Sequence, residues 1–465
     1  MSIINIGLSG LNSSNAGLSV TAHNIANVNT AGYSRQRVGF GAEVNSHGGA
    51  GVGVSSVERM ADNYLNQQIY KQKGSWGYNS VRHQYMSKTE ILLNNESSSI
   101  NKGLDRFNAA LSEASTAPQD VAHRQTILSQ SQSMVQRFNN MNSQLDNQTK
   151  QVNGQLDAAL SKANSLTASI ARMNDSLRNS ADNEMTDLLD SRDEAIRQLS
   201  SMMDVNTNYN DDGTITVTLD QGQPLVNGSQ ASKLNQTPDG SLELQRGNGR
   251  LALDNKMGGT LGGLIQYRDG ELKELQQELD VMAYSFATQF NETHAKGFDL
   301  NDNPGQAVFG GVDQIEGAAK NLTLLVDDPK QLAFASKAGE PGNSETLQQL
   351  IDLKNAPVSI DTTKLTPAEA DKFKTAIAKL DSKPIHSSYT GMMGDWAIET
   401  AQIESDTEAA KSLVKQAEGD RATISGVNLD EEAASIMTYT QMYQANAQVI
   451  STAQQLFDVT LSMFR

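Results

Sequence analysis

Apolar residues recur at every seventh position near both ends of this 465-residue chain. At the N-terminal end the repeat consists of Ile4, Leu11, Leu18 and Ile25, with Leu8 at an intervening position. At the C-terminal end it consists of Ile436, Tyr443, Ile450, Phe457 and Phe464, and the last four are preceded by the apolar residues Met442, Val449, Leu456 and Met463. Such spacing is typical of the a and d positions of a coiled coil. Each end is therefore predicted to form a helix that packs against a partner.

Both terminal stretches are almost free of charge. Residues 1–34 contain no Asp, Glu, Lys or Arg, and residues 433–464 contain only Asp458. The net charge of −17 therefore belongs mostly to the middle of the chain. Because a solvent-facing helix normally carries charged residues on its outer face, we expect the terminal helices to pair with each other. We also expect other subunits to cover them.

Helical periodicity continues in the middle of the chain. It is strongest at 134–178, and it returns at 261–291 and 395–424, while 60–115 is predicted to be helical with an Asn/Ser-rich interruption. We expect these helices to pack as a long bundle. The predicted fold class is therefore mainly α, a multidomain α+β chain with a long helical bundle, paired terminal helices and small inserted β and mixed domains.

Alternating apolar residues predict strands in three places. Residues 36–58 predict a hairpin, and 205–258 predict a small β domain inserted between helices. Residues 300–390 predict a mixed α/β region with strands at 322–326 and 332–335. A helix is expected after Thr366, where a capping box is followed at once by a proline.

These patterns divide the chain into four predicted domains. The terminal assembly domain comprises 1–60 and 425–465. The helical bundle domain comprises 61–204, 259–299 and 391–424. The two insertions are the β domain at 205–258 and the mixed region at 300–390.

Composition excludes several classes of function. The chain has no cysteine, which excludes disulfides, thiolate-bound metals and cysteine nucleophiles. Its acidic balance argues against nucleic acid as a partner. No apolar run is long enough for a transmembrane helix, so membrane insertion is not expected. The first residues lack the pattern of a cleaved secretory signal, so any export would use another route.

Motifs for catalysis and metal binding are absent from the sequence. The six histidines show no i, i+4 pair, and the zinc-protease, P-loop, serine-hydrolase and dinucleotide-binding patterns do not occur. Residues 208–219 and 299–304 resemble the start of a calcium loop. However, Leu219 and Pro304 stand where that loop requires an acidic ligand and a glycine. We therefore predict a protein that is not an enzyme and has no cofactor or metal.

Residues 9–37 closely resemble the N-terminal motif of the bacterial flagellar axial proteins. The matching core is Asn24-Ile25-Ala26-Asn27, followed by Asn29-Thr30, Gly32-Tyr33 and Arg35-Gln36. Rod, hook and hook-associated proteins share this core, so the motif indicates the superfamily rather than one member.

The C-terminal stretch has a narrower resemblance. Residues 425–433, 443–447 and 456–458 resemble the hook-associated protein 1 family, which forms the first hook–filament junction. Residues 187–193 and 291–301 also resemble that family. The resemblance implies a structural protein that leaves the cell through the flagellar type III export apparatus and is installed at the hook tip.

The resemblance also implies partners and assembly residues. The partners would be copies of the chain itself, the hook protein below, the second junction protein (hook-associated protein 3) above, and an export chaperone at the C-terminal helix. The implied N-terminal assembly residues are Ile4, Leu8, Leu11, Leu18, Asn24, Ile25, Asn27, Asn29, Thr30, Gly32 and Tyr33. The implied C-terminal assembly and chaperone residues are Ile436, Met442, Tyr443, Asn446, Val449, Ile450, Leu456, Phe457, Leu461 and Phe464. The protein would be cytoplasmic before export and extracellular at the hook–filament junction afterwards.

Two alternatives remain open at this point. The chain could be the hook protein or a distal rod protein of the same superfamily, although those relatives look predominantly β between their terminal helices. It could also be an exported enzyme or adhesin carried on flagellar ends, which would need a catalytic or lectin site in 205–258 or 300–390.

Overall fold

The structure, a computed structural model, describes residues 3–45, 48–179, 185–238, 240–254 and 256–463. The chain forms two compact units. The first contains Met1–Asn79, Ala158–Gly262 and Thr407–Arg465. The second contains Ser80–Asp157 and Gly263–Asp406. The division into four domains that the sequence suggests stays a prediction.

The fold is mainly α-helical with small antiparallel sheets inserted, as the sequence predicts. The helices are α1 (Ile3–Ala26), α2 (Asn63–Asn94), α3 (Ile100–Ala114), α4 (Val121–Asn179), α5 (Met185–Met202), α6 (Gly259–Gln266), α7 (Leu272–His294), α8 (Ala318–Asn321), α9 (Glu345–Asp352), α10 (Pro367–Leu380), α11 (Ile385–Ser425) and α12 (Leu429–Met463). A π-helical turn, Tyr267–Glu271, joins α6 to α7.

All sheets are antiparallel and small. The strands are β1 (Gln36–Asn45), β2 (Gly48–Arg59), β3 (Val205–Tyr209), β4 (Ile215–Leu219), β5 (Pro224–Asn227), β6 (Gln230–Ala231), β7 (Lys233–Gln236), β8 (Leu242–Arg246), β9 (Gly249–Ala252), β10 (Phe309–Gly310) and β11 (Thr323–Leu324). β1 and β2 form the predicted hairpin, and β10 pairs with β11. The other sheets have the strand orders β3-β4-β5-β6 and β7-β8-β9.

Two asparagines of α4 hold these two sheets in the first unit. The Asn174 amide donates to the Ile215 carbonyl at 2.8 Å, and its oxygen accepts from the Ile215 N–H at 3.1 Å. Asn164 makes the same pair of bonds with Leu234, both at 2.8 Å. A side-chain amide carries one acceptor and two donors, so each asparagine can satisfy both backbone groups of one strand residue.

Aromatic side chains fill the core of the second unit. Phe107, Phe286, Phe290 and Phe309 form a cluster in which ring centroids lie 4.9 to 6.5 Å apart. The chain has only 11 phenylalanines, so four of them are concentrated at this one point of α3, α7 and β10. Edge-to-face and tilted pairs of this kind stabilise a core beyond the area that they bury.

The mixed region agrees with the sequence in part. α10 begins at the predicted capping box, in which the side chains of Thr366 and Glu369 each accept from the other's backbone N–H. The predicted strand at 322–326 is limited to the two residues of β11. Residues 332–335 are not a strand, because they pair with the rest of the chain only through isolated contacts. Short apolar runs predict that residues are buried more reliably than they predict hydrogen-bonded pairing between β-strands.

A buried histidine joins three segments of the second unit. The His294 Nε2 accepts from the Ala333 N–H at 2.7 Å, so the proton lies on Nδ1, which donates to the Gln306 carbonyl at 2.7 Å. Nearby, the Asp299 carboxylate accepts from the backbone N–H groups of Asn301 and Asn303. The calcium-like spacing at this point therefore serves a turn of the backbone.

The free energy of unfolding is expected to fall as pH decreases from about 6.5 to about 4. Burial lowers the pKa of His294 to about 4. Between these pH values the unfolded chain, with a histidine pKa of about 6.5, binds a proton that the folded chain does not bind. This difference lowers the free energy of unfolding by about 3 kcal/mol at the acidic end of the range. Urea unfolding at pH 7 and pH 4.5 should show this loss in the native chain and a smaller pH dependence in His294→Gln. His83→Gln, at a partly exposed histidine, should keep the native pH dependence; equal slopes in all three chains would contradict this assignment.

Candidate assembly surface

The two terminal helices pack against each other in the first unit, as predicted. Gly7 lies against Ile450, Gly10 against Asn446 and Gly17 against Tyr439. Residue numbers rise along α1 while those of its contacts fall along α12, so the two helices are antiparallel. Of the terminal residues predicted from the sequence, Asn446 and Ile450 thus contact α1.

Small residues form the α1 side of this contact. The face of α1 that is buried consists of Gly7, Gly10, Ser13, Ser14, Gly17, Thr21 and Asn24. A Cβ atom on Gly10 would lie 2.4 Å from the Asn446 Oδ1, and one on Gly17 would lie 2.8 Å from the Tyr439 ring. Contact at such distances requires glycine, because any larger side chain would push the helices apart.

Apart from Ile450, the apolar heptad residues lie beside the contact face rather than in it. On α1, Ile4, Leu11, Leu18 and Ile25 are half-buried and Leu8 is exposed. On α12, Ile436 is half-buried, and the exposed members are Met442, Tyr443, Val449, Leu456, Phe457 and Leu461. Phe464 lies outside the described residues. Helices that approach through glycines leave no room for leucine-sized side chains between them, so the apolar residues are displaced to the flanks.

The C-terminal part of α12 extends beyond its contact with α1. Ala453 is buried, whereas every residue from 454 to 463 is exposed. Leu456 and Phe457 have exposed fractions of 56% and 61%. Ten helical residues span about 15 Å. An apolar surface of this length with one charged residue, Asp458, is typical of an interface with another protein.

The β1–β2 hairpin packs on a second face of α1. The Ser13 hydroxyl donates to the Val52 carbonyl at 3.0 Å, and the Val52 N–H donates to the Ser9 hydroxyl at 3.2 Å. Beside this contact lies a groove of about 360 Å³, whose walls include the exposed side chains of Leu8 and Val54. α1 thus presents apolar surface on both sides of its glycine face.

The polar motif after α1 forms a turn that leads into β1. The Asn24 side chain donates to the Gln36 carbonyl and accepts from the Gln36 N–H, both at 2.9 Å. Its oxygen also accepts from the Tyr33 hydroxyl at 2.7 Å. Thr30 donates to the Asn27 side chain at 3.0 Å, and Asn29 is exposed. Most of these residues shape the backbone locally rather than offer free surface.

Gly32 lets this turn approach α5. Its φ of +85° lies in the region that favours glycine, and a Cβ there would lie 3.1 Å from the Glu194 carboxylate. Burial, together with the nearby charges of Asp187 and Asp190, raises the pKa of Tyr33 well above its usual value. The tyrosine therefore stays neutral and keeps its proton for Asn24.

A buried ionic cluster, which the sequence does not predict, anchors the terminal segments to α5. Arg59 at the end of β2 pairs with Asp190 and Asp193. Asp190 also accepts from the Ser34 N–H at 2.8 Å. Although burial alone would lower it, the two aspartates hold the pKa of Arg59 above its usual value. The pairing is therefore strong enough to outweigh the loss of solvent around the guanidinium.

The C-terminal segment joins the same cluster through Arg421. Its guanidinium donates to the Ser34 hydroxyl at 2.8 Å and to the Gly32 carbonyl at 3.0 Å. Arg35 in turn pairs with Glu431 and with the buried Glu432 at the start of α12. The turn after α1 is therefore bound to both α5 and the C-terminal helices.

Comparison with known proteins shows similarity to flagellar proteins at both ends and in the helical middle. Residues 86–309 match the family model described as "Flagellar hook-associated protein FlgK helical domain", and residues 422–463 match "Flagellar basal body rod FlgEFG protein C-terminal". The flagellar hook-associated protein 1 of Salmonella typhimurium is 28% identical over 99% of this chain and 100% of its own length. This chain is similar along nearly its whole length to flagellar hook-associated protein 1. The Bacillus subtilis member is 26% identical, over 97% of this chain and 96% of its own length.

A solved structure has the same fold. The flagellar hook junction protein FlgK from Burkholderia pseudomallei superposes with a TM-score of 0.65 at 16% identity, covering 78% of this chain and 100% of its own. This similarity places the chain in the flagellum, in assembly with other flagellar components, as a structural protein and not an enzyme. In the described part of the chain, no helix is long and apolar enough to cross a membrane, and no cluster of acidic or histidine side chains could hold a metal ion.

Proposed function

We propose that this chain polymerises at the distal end of the hook and forms the hook–filament junction, where it adapts hook to filament. The observation that carries the proposal is the exposed apolar row of α12, which lies in a stretch, 433–463, whose only charged residue is Asp458. An exposed apolar row of this kind is typical of a surface that other protein chains cover. Full-length similarity to junction proteins favours this function over the hook or distal rod protein and over an enzyme or adhesin.

The proposed division of labour follows the two terminal helices. The α1–α12 pair is the assembly domain, in which the exposed heptad residues contact neighbouring copies and the polar residues from Asn24 to Tyr33 hold the turn below them. The helical middle and the inserted regions face solvent, since they carry nearly all of the acidic charge. This arrangement explains why a chain with only 37% hydrophobic residues can assemble: much of its burial is between molecules.

The proposed partners are flagellar. The chain would contact the hook protein below and the second junction protein, hook-associated protein 3, above. Before export the exposed apolar face of α12 would be covered in the cytoplasm by an export chaperone. The type III export apparatus would then deliver the chain to the cell exterior, a route for which the absence of cysteine is suitable.

Replacing Leu456 and Phe457 with aspartate is expected to abolish polymerisation while the subunit stays folded. Both side chains are exposed, so their loss should change the thermal unfolding of the monomer by little. Two charges in an apolar interface should prevent copies from associating. Electron microscopy of the purified protein measures assembly, and circular dichroism measures folding. In cells, deletion of 433–465 should leave hooks without filaments and flagellin in the medium.

Two exposed isoleucines provide the matched control. Ile91 and Ile398 are each exposed and lie on α2 and α11, away from α12. The double aspartate variant at these positions should assemble normally. Normal filaments on cells that carry the α12 variant would contradict the proposed role of this helix.

A further inference from the structure

A small acidic cavity in the second unit lies where the π-helical turn joins α7. The cavity has a volume of about 120 Å³, and α7, α10 and α11 supply its walls. Its carboxylates are Glu271, Glu274, Glu278, Asp395 and Glu399. The π-helical turn has one residue more than an α-helical turn, as its closing bond from the Leu272 N–H to the Tyr267 carbonyl shows. Such insertions in helices often mark functional sites.

The charges in this cavity do not balance. Two cations face the five carboxylates: Arg82 pairs with Glu271 and Glu399, and Lys379 pairs with Glu274 and Glu278 at 3.0 and 2.9 Å. With every group ionised, the cavity carries three negative charges more than positive ones. Burial raises the pKa of Glu278 and of Glu399 above the usual value, which is the direction expected for carboxylates that lack full compensation.

One buried carboxylate oxygen in the cavity has no partner. Glu271 is 93% buried, since its exposed fraction is 7%. Its Oε1 accepts from Arg82 at 2.9 Å, whereas its Oε2 makes no hydrogen bond. A buried charged oxygen without a donor costs free energy, so the site is suited to a ligand that brings a donor.

The shape and lining of the cavity define the ligand. The carboxylates of the described chain do not converge closely enough to hold a metal ion. Separated acceptors are better served by a guanidinium group, which carries five N–H donors in one plane. The indole of Trp396, with Leu275 and Met392, provides an apolar wall for the flat face and the aliphatic stem of an arginine. Gly270 also lines the cavity, where a Cβ would lie 2.5 Å from the Gln266 side chain.

We propose that this acidic cavity binds the guanidinium group of an arginine side chain presented by a neighbouring protein subunit. The Glu271 Oε2 accepts from the guanidinium inside the cavity, and Glu274 and Glu399 bind it at the rim. This contact is separate from the terminal helices, so it adds a second point of attachment, with charge specificity, to an assembly driven by apolar surface.

The test uses the full chain and two small probes. N-acetyl-arginine amide is titrated into the protein by calorimetry, beside N-acetyl-citrulline amide, which has the same shape without the charge. We expect saturable binding of the arginine probe at concentrations on the order of 1 mM and none of the citrulline probe. Glu271→Gln should weaken arginine binding about tenfold. Glu274→Gln, at an exposed rim position that folding does not need, should weaken it as well.

Glu96→Gln provides the matched control, since Glu96 is exposed and lies outside the cavity. It removes the same charge and should leave binding unchanged. Equal binding of both probes, or unchanged affinity in Glu271→Gln and Glu274→Gln, would overturn the proposal. Displacement of the arginine probe by millimolar Ca²⁺ or Mg²⁺ would also overturn it, in favour of a metal site. The measurement does not depend on polymerisation, so its result is independent of the proposed junction function.

Discussion

Replacement of Gly7, Gly10 and Gly17 with valine should separate α1 from α12 and lower the free energy of unfolding by about 3 kcal/mol or more. At all three positions a Cβ alone would lie 2.4 to 2.8 Å from an atom of α12, and valine adds two methyl groups beyond it. The helices cannot keep their distance with these side chains between them. Urea unfolding measures the loss of stability, and electron microscopy should show that polymers no longer form.

Gly154→Val is the matched control for this experiment. Gly154 lies in α4 with nothing near the position of a Cβ. The same substitution should therefore be close to neutral there, because valine has a slightly better helix propensity than glycine. If the triple variant unfolds at the same urea concentration as the native chain, the glycine face does not hold the two helices together.

Replacement of Asp193 with alanine should cost about 3–5 kcal/mol, because it leaves buried cations without their anion. Asp193 is fully buried, and it pairs with Arg59 and accepts from the Asn66 amide at 3.2 Å. Arg192 is also buried close by, where burial lowers its pKa and the charge of Asp193 raises it. Removal of the aspartate should therefore loosen Arg59 at the end of β2 and Asn66 in α2 from α5, which limited proteolysis and urea unfolding can both detect.

An exposed aspartate of the same helix serves as a control, because its replacement removes the same charge without affecting a buried ion pair. Asp187 accepts from Gln36 at 2.9 Å, but its side chain is 64% exposed. Asp187→Ala should cost no more than about 1 kcal/mol, because an exposed pair is screened by solvent. A loss in Asp193→Ala as small as that in Asp187→Ala would show that the ionic cluster does not anchor the terminal segments.

The two experiments examine two different contacts of the terminal segments: the contact between α1 and α12, and the attachment of these segments to α5. The glycine face sets how closely α1 and α12 approach, and the ionic cluster sets how that pair is held on α5. In the glycine variant the cluster should remain intact, so the turn should stay protected from proteases. In the aspartate variant the two helices can still pair, but their direction relative to α5 is lost.

Sequence periodicity predicts the helices because it is a local property. The repeat at 134–178 lies within α4, and the alternation at 36–58 corresponds to β1 and β2. The capping box at Thr366 is likewise confirmed, since it depends on residues only three positions apart. Pairing of the two termini could also be predicted, because both ends share a repeat and lack charge.

On α1 the same periodicity does not mark the residues that contact α12. Apolar side chains at a and d positions and small side chains at Gly7, Gly10 and Gly17 mark two different faces of α1. A heptad pattern alone does not say which face will meet α12. The decision depends on how closely the two backbones can approach, and close packing of backbones favours the glycine face over a wider, leucine-filled interface.

No local sequence pattern predicts the ionic cluster. Arg59, Asp193 and Arg421 are far apart in sequence, and each is an ordinary charged residue in its own segment. Residues 187–193 are noticeable only as a resemblance to relatives. The partner that stabilises a buried charge depends on which segments the fold brings together. It therefore cannot be predicted from a short stretch of sequence.

The sequence by itself determined the helical class, the terminal pairing and the lack of charge at the ends, since these follow from residue type and spacing along one chain. Only the tertiary structure decided that glycines form the inner face, that most apolar residues of α12 stay exposed, and that four segments meet at Asp190 and Asp193. The physical reason is the distance along the chain over which each effect acts. Propensity and periodicity depend on residues a few positions apart, whereas close packing and charge pairing depend on segments that meet only in the folded chain.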